Sequence, residues 1–134
     1  MAARDELLEL LDSDPELLRG TAARSRALTD PDGRYTDEDV DQIVYAFGTA
    51  LREGLRDEGT AARDLLIESV VPAVVEQGET AASLARSGAL FGALLVGAVT
   101  PRLAESAREE AVGWLAEFFG AWCQDVVVAA GEVA

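Results

Sequence analysis

Asp37, Asp39 and Asp41 have the alternate spacing that opens a calcium-binding loop, but Gln42 stands where that loop needs its turn glycine. Gly48 stands where it needs its closing glutamate. The three acids therefore read as the first turn of a helix, where carboxylates meet the positive end of the helix dipole. Glu105 and Glu109 share a helix face, as the carboxylates of a di-metal bundle do, yet that site also requires Glu-x-x-His and the chain has no His. They read as a charged outer stripe. No cleft for a glycosidase acid pair is implied by a small helical pattern. Cys123 has no His or Lys to activate it and reads as an inert thiol beside Trp122. The expected sets of catalytic residues, metal ligands and cofactors are all empty.

The absences narrow the function further. The chain has 134 residues and a net charge of −14, and it contains no His, no Lys and no Asn. Histidine-assisted nucleophiles, His-ligated haem, Schiff-base lysines and Walker-type phosphate loops are excluded. One cysteine makes neither an internal disulfide nor a multi-Cys zinc site. An enzyme is thus the least supported class. The charge disfavours a phosphate backbone and an anionic membrane surface as partners. Residues 1–41 carry 12 acids and 5 Arg, a net of −7. This reads as a solvated acidic segment, or as an acidic face that binds a basic regulator or mimics nucleic acid.

Two stretches invite a binding function. Residues 87–101 form an uncharged run that includes Gly88, Gly92 and Gly97. It is shorter than a membrane span and reads as a buried helix whose small residues admit a neighbouring helix or a ligand. Trp114, Phe118, Phe119 and Trp122 are half of the chain's aromatics and fall within nine positions. Such a stripe serves as ordinary core, as a dimer interface or as the wall of a ligand pocket. The pocket candidates are Phe47, Arg86, Phe91, Trp114 and Phe118; the interface candidates are Trp122, Phe119 and Val126. Facing inward, Arg86 would hold the carboxylate of an apolar ligand; facing outward, it would be an exposed first-turn residue paired with Glu79.

The elements that must position these residues are all helical, because no segment sustains two-residue alternation and Ala, Leu, Glu and Arg predominate. The spacing predicts helices over about 3–11 and 15–28, then a flexible turn at 29–33. Thr36 caps a helix that Gly59 stops, and Thr60 caps the next, which is apolar on two sides and kinked near Glu68 by Pro72. Gly78 ends that helix and Thr80 caps a nearly uncharged one over 81–99. A final helix over about 102–130 carries an inner stripe that includes Leu103, Ala107, Ala111, Trp114, Leu115, Phe118, Ala121, Trp122, Val126 and Ala129. No repeat indicates a solenoid. The start of the chain lacks a secretory pattern, and cytoplasmic location is expected.

The layout TDEDVDQIVYAFGTALREGL, ARDLLIESVVPAVVEQG, ETAASLARSGALFGALLVGAV and EEAVGWLAEFFGAWCQDVVVAA resembles the N-terminal sensor domains of RsbR-type stressosome proteins, which are non-haem globins. It is similar also to globin-like sporulation-inhibitory sensor domains. The resemblance covers residues 36–130 and rests on helix lengths and breaks. It implies an all-α, globin-like bundle of five to six helices without a sheet, and a homodimer that binds no haem. It further implies a fatty-acid-like apolar ligand and a signalling partner or output domain reached through the last helix. Nothing follows Ala134 to serve as that output, so the chain reads as a domain of a longer protein or a stand-alone relative. The expected organisation is one domain over 1–134, with an acidic, partly flexible segment at 1–35 preceding the globin-like core at 36–130.

Overall fold

The computed structural model describes residues 2–30 and 32–133. Over these residues the chain forms six α-helices and no strand. They are α1 Ala3–Ser13, α2 Glu16–Thr29, α3 Asp37–Leu55, α4 Ala61–Glu76, α5 Ala81–Val99 and α6 Glu105–Val133, with a 3-10 turn at Thr100–Arg102. The all-α expectation holds. Pro31, in the middle of the expected turn, lies outside the described residues, as do Met1 and Ala134.

Local chemistry sets the helix ends. The Thr36 hydroxyl accepts from the Asp39 N–H at 3.1 Å, and the Asp39 carboxylate accepts from the Thr36 N–H at 2.9 Å. Thr80 and Ser83 make the same reciprocal pair at the start of α5. Thr60 departs from this pattern: its hydroxyl donates to Asp64 at 3.0 Å and caps no backbone group. Gly78 takes φ +97°, a conformation open to glycine, and turns the chain so that the Glu79 N–H reaches the Val74 carbonyl at 3.0 Å. That reversal fixes where Glu79 sits.

Helix α6 is the spine of the bundle. Its buried stripe runs Ala107, Ala111, Leu115, Phe119, Trp122, Val126 and Ala130, with Leu103 buried just ahead of it. The expected stripe shifts by one position at Phe118 and Ala129, which give way to Phe119 and Ala130. The cause lies on α5. A Cβ added at Gly92 would fall 2.8 Å from Phe119 Cγ, and one at Gly88 would fall 2.7 Å from Trp122 Cδ1. The two glycines open slots that accept these two rings, and the slots select which aromatics turn inward. By length and composition Ala81–Arg102, at 22 residues and mean hydropathy 1.6, is sufficient to cross a membrane, although its uncharged run alone reads as too short.

Helix α4 is buried on one side only, through Leu66, Ile67, Val71 and Val74, whereas Leu65 and Ala73 face outward. The expectation of two buried sides fails because this helix packs on α3 and α6 and nothing covers its far face. The helix passes unbroken through Pro72, which is exposed. The N-terminal segment belongs to the core: Ala3, Leu7, Leu11, Leu17 and Leu18 are buried in the same cluster as α3, α5 and α6. Acids of this segment and of the first turn of α3 are paired with arginines. Asp12 meets Arg52 at 2.8 Å, Asp14 meets Arg102 at 2.5 Å, and Asp37 meets Arg26 at 2.6 Å.

Candidate functional site

At the end of the bundle away from α1, five helices leave a space between them. The cavity has a volume of about 170 Å³. Its walls are Ala22 of α2, Val40, Ile43 and Phe47 of α3, Leu66, Val70 and Val74 of α4, Leu84, Gly88 and Phe91 of α5, and Trp122 of α6. Aromatic rings form its floor. Phe47 and Phe91 stack at 5.2 Å between centroids with 16° between planes, and Trp122 lies 4.7 Å from Phe47 at 59°. Such offset and tilted arrangements suit the ring quadrupoles. The stiff β-branched Val and Ile side chains beside them cannot reorient to fill what the rings leave open.

The mouth is polar and carries Ser25, Arg26, Thr29, Asp30, Tyr35, Glu79 and Ser87. Asp30 and Tyr35 border the opening and are tied to each other and to their neighbours. The Asp30 carboxylate is 3% exposed and accepts the backbone N–H groups of Arg34 at 2.9 Å and Tyr35 at 3.0 Å. Those bonds, that of Tyr35 foremost, together with the charges of Arg34 and Arg26, hold its pKa below the usual carboxylate range against the effect of burial. The Arg26 guanidinium donates to the Tyr35 carbonyl. On the far side Glu79 is the anchor. Its Oε1 accepts from Arg34 at 2.7 Å and from the Tyr35 hydroxyl at 3.1 Å, and its Oε2 accepts from the Ser83 hydroxyl at 2.5 Å. Burial and then the Glu79 charge push the Tyr35 phenol up to about 12.

The five pocket candidates divide. Phe47 and Phe91 line the cavity together. Arg86 is exposed and lies outside it, and Glu79 pairs with Arg34, so the inward Arg86 is corrected. Trp114 and Phe118 lie elsewhere, stacked at 5.4 Å beside Gly54 in a separate open groove with Arg63. They leave the pocket set because they pack against Gly54 of α3, whereas Phe119 and Trp122 enter the slots at Gly92 and Gly88 of α5. The interface candidates are corrected also. Trp122, Phe119 and Val126 are 7%, 4% and 1% exposed in the single chain, so they serve its own core and have no surface left for a partner.

Sequence reasoning missed Trp122 as a cavity wall, the valines of α4, and the group formed by Asp30, Tyr35 and Glu79. Only the acid-rich turn before Gly33 marked that loop in the sequence; its partner stands 44 residues beyond Tyr35. The three aspartates of α3 are engaged separately, Asp37 with Arg26, Asp39 with its own helix cap and Asp41 with Arg19. The Cys123 thiol donates weakly to the Ala85 carbonyl at 3.4 Å, and burial pushes its pKa up, which is the wrong direction for a nucleophile.

The fold and this site together define an all-α domain with an apolar cavity whose polar mouth is held by Asp30, Tyr35 and Glu79. No family model, curated protein or solved structure matches the chain.

Proposed function

We propose that this chain is a non-enzymatic, cytoplasmic sensor domain of the non-haem, globin-like kind found in stressosome regulators, that it binds an apolar small molecule, and that it acts as a homodimer on a signalling partner or output domain. The observation that carries the reading is the cavity walled by Phe47, Phe91 and Trp122 within an otherwise filled core. A space of this size in a protein interior forgoes dispersion contacts on every wall, and a ligand that fills it restores them.

Helix α5 connects the two halves of the proposal. One side of it walls the cavity through Gly88 and Phe91, and the other presents Ala89, Ala93 and Gly97 to solvent. It is the one helix here without an acidic residue, whereas α1, α2, α3, α4 and α6 each carry exposed carboxylates. Two copies of a chain with net charge −14 meet least repulsion across that face. A ligand that shifts α5 against α6 would alter both surfaces at once.

Native mass spectrometry of the purified chain tests this reading. A dimer carrying added mass is expected, and Ala93→Glu should convert it to a monomer. A bare monomer whose unfolding temperature no apolar compound raises would remove the proposal. The rival reading, an acidic module for a basic partner, has less support. The exposed acids are spread over five helices, and several of those in the N-terminal segment are neutralised by arginines.

A further inference from the structure

The cavity's size and the charge of its mouth narrow the ligand class. We infer that the site takes a neutral aromatic molecule of one ring or two fused rings, and not a fatty acid; this inference rests on the sensor reading above.

The first argument is volume. The cavity measures about 170 Å³. An apolar cavity of about 150 Å³ accommodates benzene, whereas sites for drug-sized ligands begin near 300 Å³. A long-chain fatty acid, with roughly three times the heavy atoms of benzene, exceeds the space. The second argument is the shape of the walls. Phe47 and Phe91 are nearly parallel, with Trp122 tilted against them, so a flat guest meets ring faces and edges on more than one side.

The third argument is charge at the mouth, and it does not depend on volume. A carboxylate headgroup arriving there would meet the carboxylates of Asp30 and Glu79. Arg26 is the one cation on the lining, and it is already committed to Asp37 at 2.6 Å, to Asp30 at 3.9 Å and to the Tyr35 carbonyl. Arg34, nearby, is committed to Glu79 at 2.7 Å. Neither Arg26 nor Arg34 is left free to compensate an anion at the mouth, and desolvating an anion without a partner is strongly unfavourable. A neutral ring carries no such penalty.

The test is calorimetric titration of the full chain with indole, toluene, decanoate and palmitate, accompanied by thermal unfolding. Indole and toluene should bind and raise the unfolding temperature, while the two fatty acids should leave it unchanged. Val70→Phe places a ring inside the cavity and should weaken indole binding at least tenfold; Ala22→Leu, at another wall, serves the same purpose if the first variant loses its helical spectrum. If a fatty acid binds more tightly than either ring compound and the filling variants abolish that binding, the ligand class is overturned and the sensor reading survives. If none of the four compounds binds, the sensor reading falls and takes this inference with it.

Discussion

The two ends of the bundle share α2, α3, α5 and α6 and are packed in opposite ways. At the α1 end, Leu7, Leu11, Leu17, Leu51, Leu55, Leu95, Val99 and Leu115 close around a void of about 10 Å³. That space is at the lower limit for a single water molecule. At the other end the same α3, α5 and α6 contribute Phe47, Gly88, Phe91 and Trp122, and about 170 Å³ is left open. Two physical differences account for this. Leucine adapts its rotamers to interdigitate, whereas planar rings and β-branched valines are stiffer. In addition, α1 plugs the leucine end, while the other end has polar residues such as Asp30, Tyr35 and Glu79 at its mouth. One end supplies stability and the other retains room for a guest.

The largest test of this contrast is truncation. Leu51, at 0% exposure, is at the centre of the filled end. Leu51→Ala should cost about 2–5 kcal/mol in denaturant unfolding. Val70 is half-buried on the cavity wall, and Val70→Ala should cost about 1 kcal/mol. Equal losses would erase the distinction between the ends.

A second pair of variants examines the seam between α5 and α6. Alanine gains about 1 kcal/mol over glycine within a helix. At Gly92 the new methyl would meet the Cβ and Cγ of Phe119 at 3.0 and 2.8 Å, positions that a rotamer change of the ring relieves poorly. Overpacking of about 1–3 kcal/mol should therefore prevail, and Gly92→Ala should lower the unfolding temperature. Gly97 on the same helix has nothing within 4 Å of such a methyl, and Gly97→Ala should raise it. If both variants move in the same direction, the close approach at Gly92 is not what requires glycine there.

Smaller effects belong to the loop. Tyr35→Phe removes the hydroxyl that donates to Glu79 and should cost about 1 kcal/mol, with faster amide exchange at Arg34 and Tyr35. Its pH signature has two arms. The Asp30 pKa is lowered in the folded chain, so its stabilising contribution is complete above the unfolded value of about 3.9 and is lost as the pH falls through the lower folded value. The Tyr35 pKa is raised to about 12 from 10.0, so its contribution is present below 10.0 and is lost as the pH rises toward about 12. Loop amide shifts followed by NMR across pH should show both arms, and the alkaline one should vanish in Tyr35→Phe.

What was legible in the sequence was local. Thr36 and Thr80 mark helix starts because a cap needs only its own first turn, and Gly78 marks an end because a reversed backbone favours a residue without Cβ; α3 instead stops at Leu55, ahead of Gly59, with Asp57 at φ +60°. The small residues of α5 signalled a close neighbour, which proved to be α6. The site was only partly legible. Phe47 and Phe91 were recognisable as candidates, yet Phe118 and Phe119 are adjacent in sequence and no periodicity decides between them when both are apolar. The slot at Gly92 decides it.

The sequence by itself therefore determined the helical class, the capped starts of α3 and α5 and the lack of a histidine- or lysine-based reaction centre, since each depends on residue type and short spacing. Only the tertiary structure decided that Trp122 walls a cavity and Trp114 does not, that Glu79 anchors a loop 44 positions away through Tyr35, and that one end of the bundle stays open. Those outcomes depend on which side chains five separate helices bring to one place, and they follow from volume, rotamer stiffness and the approach distances that two glycines allow.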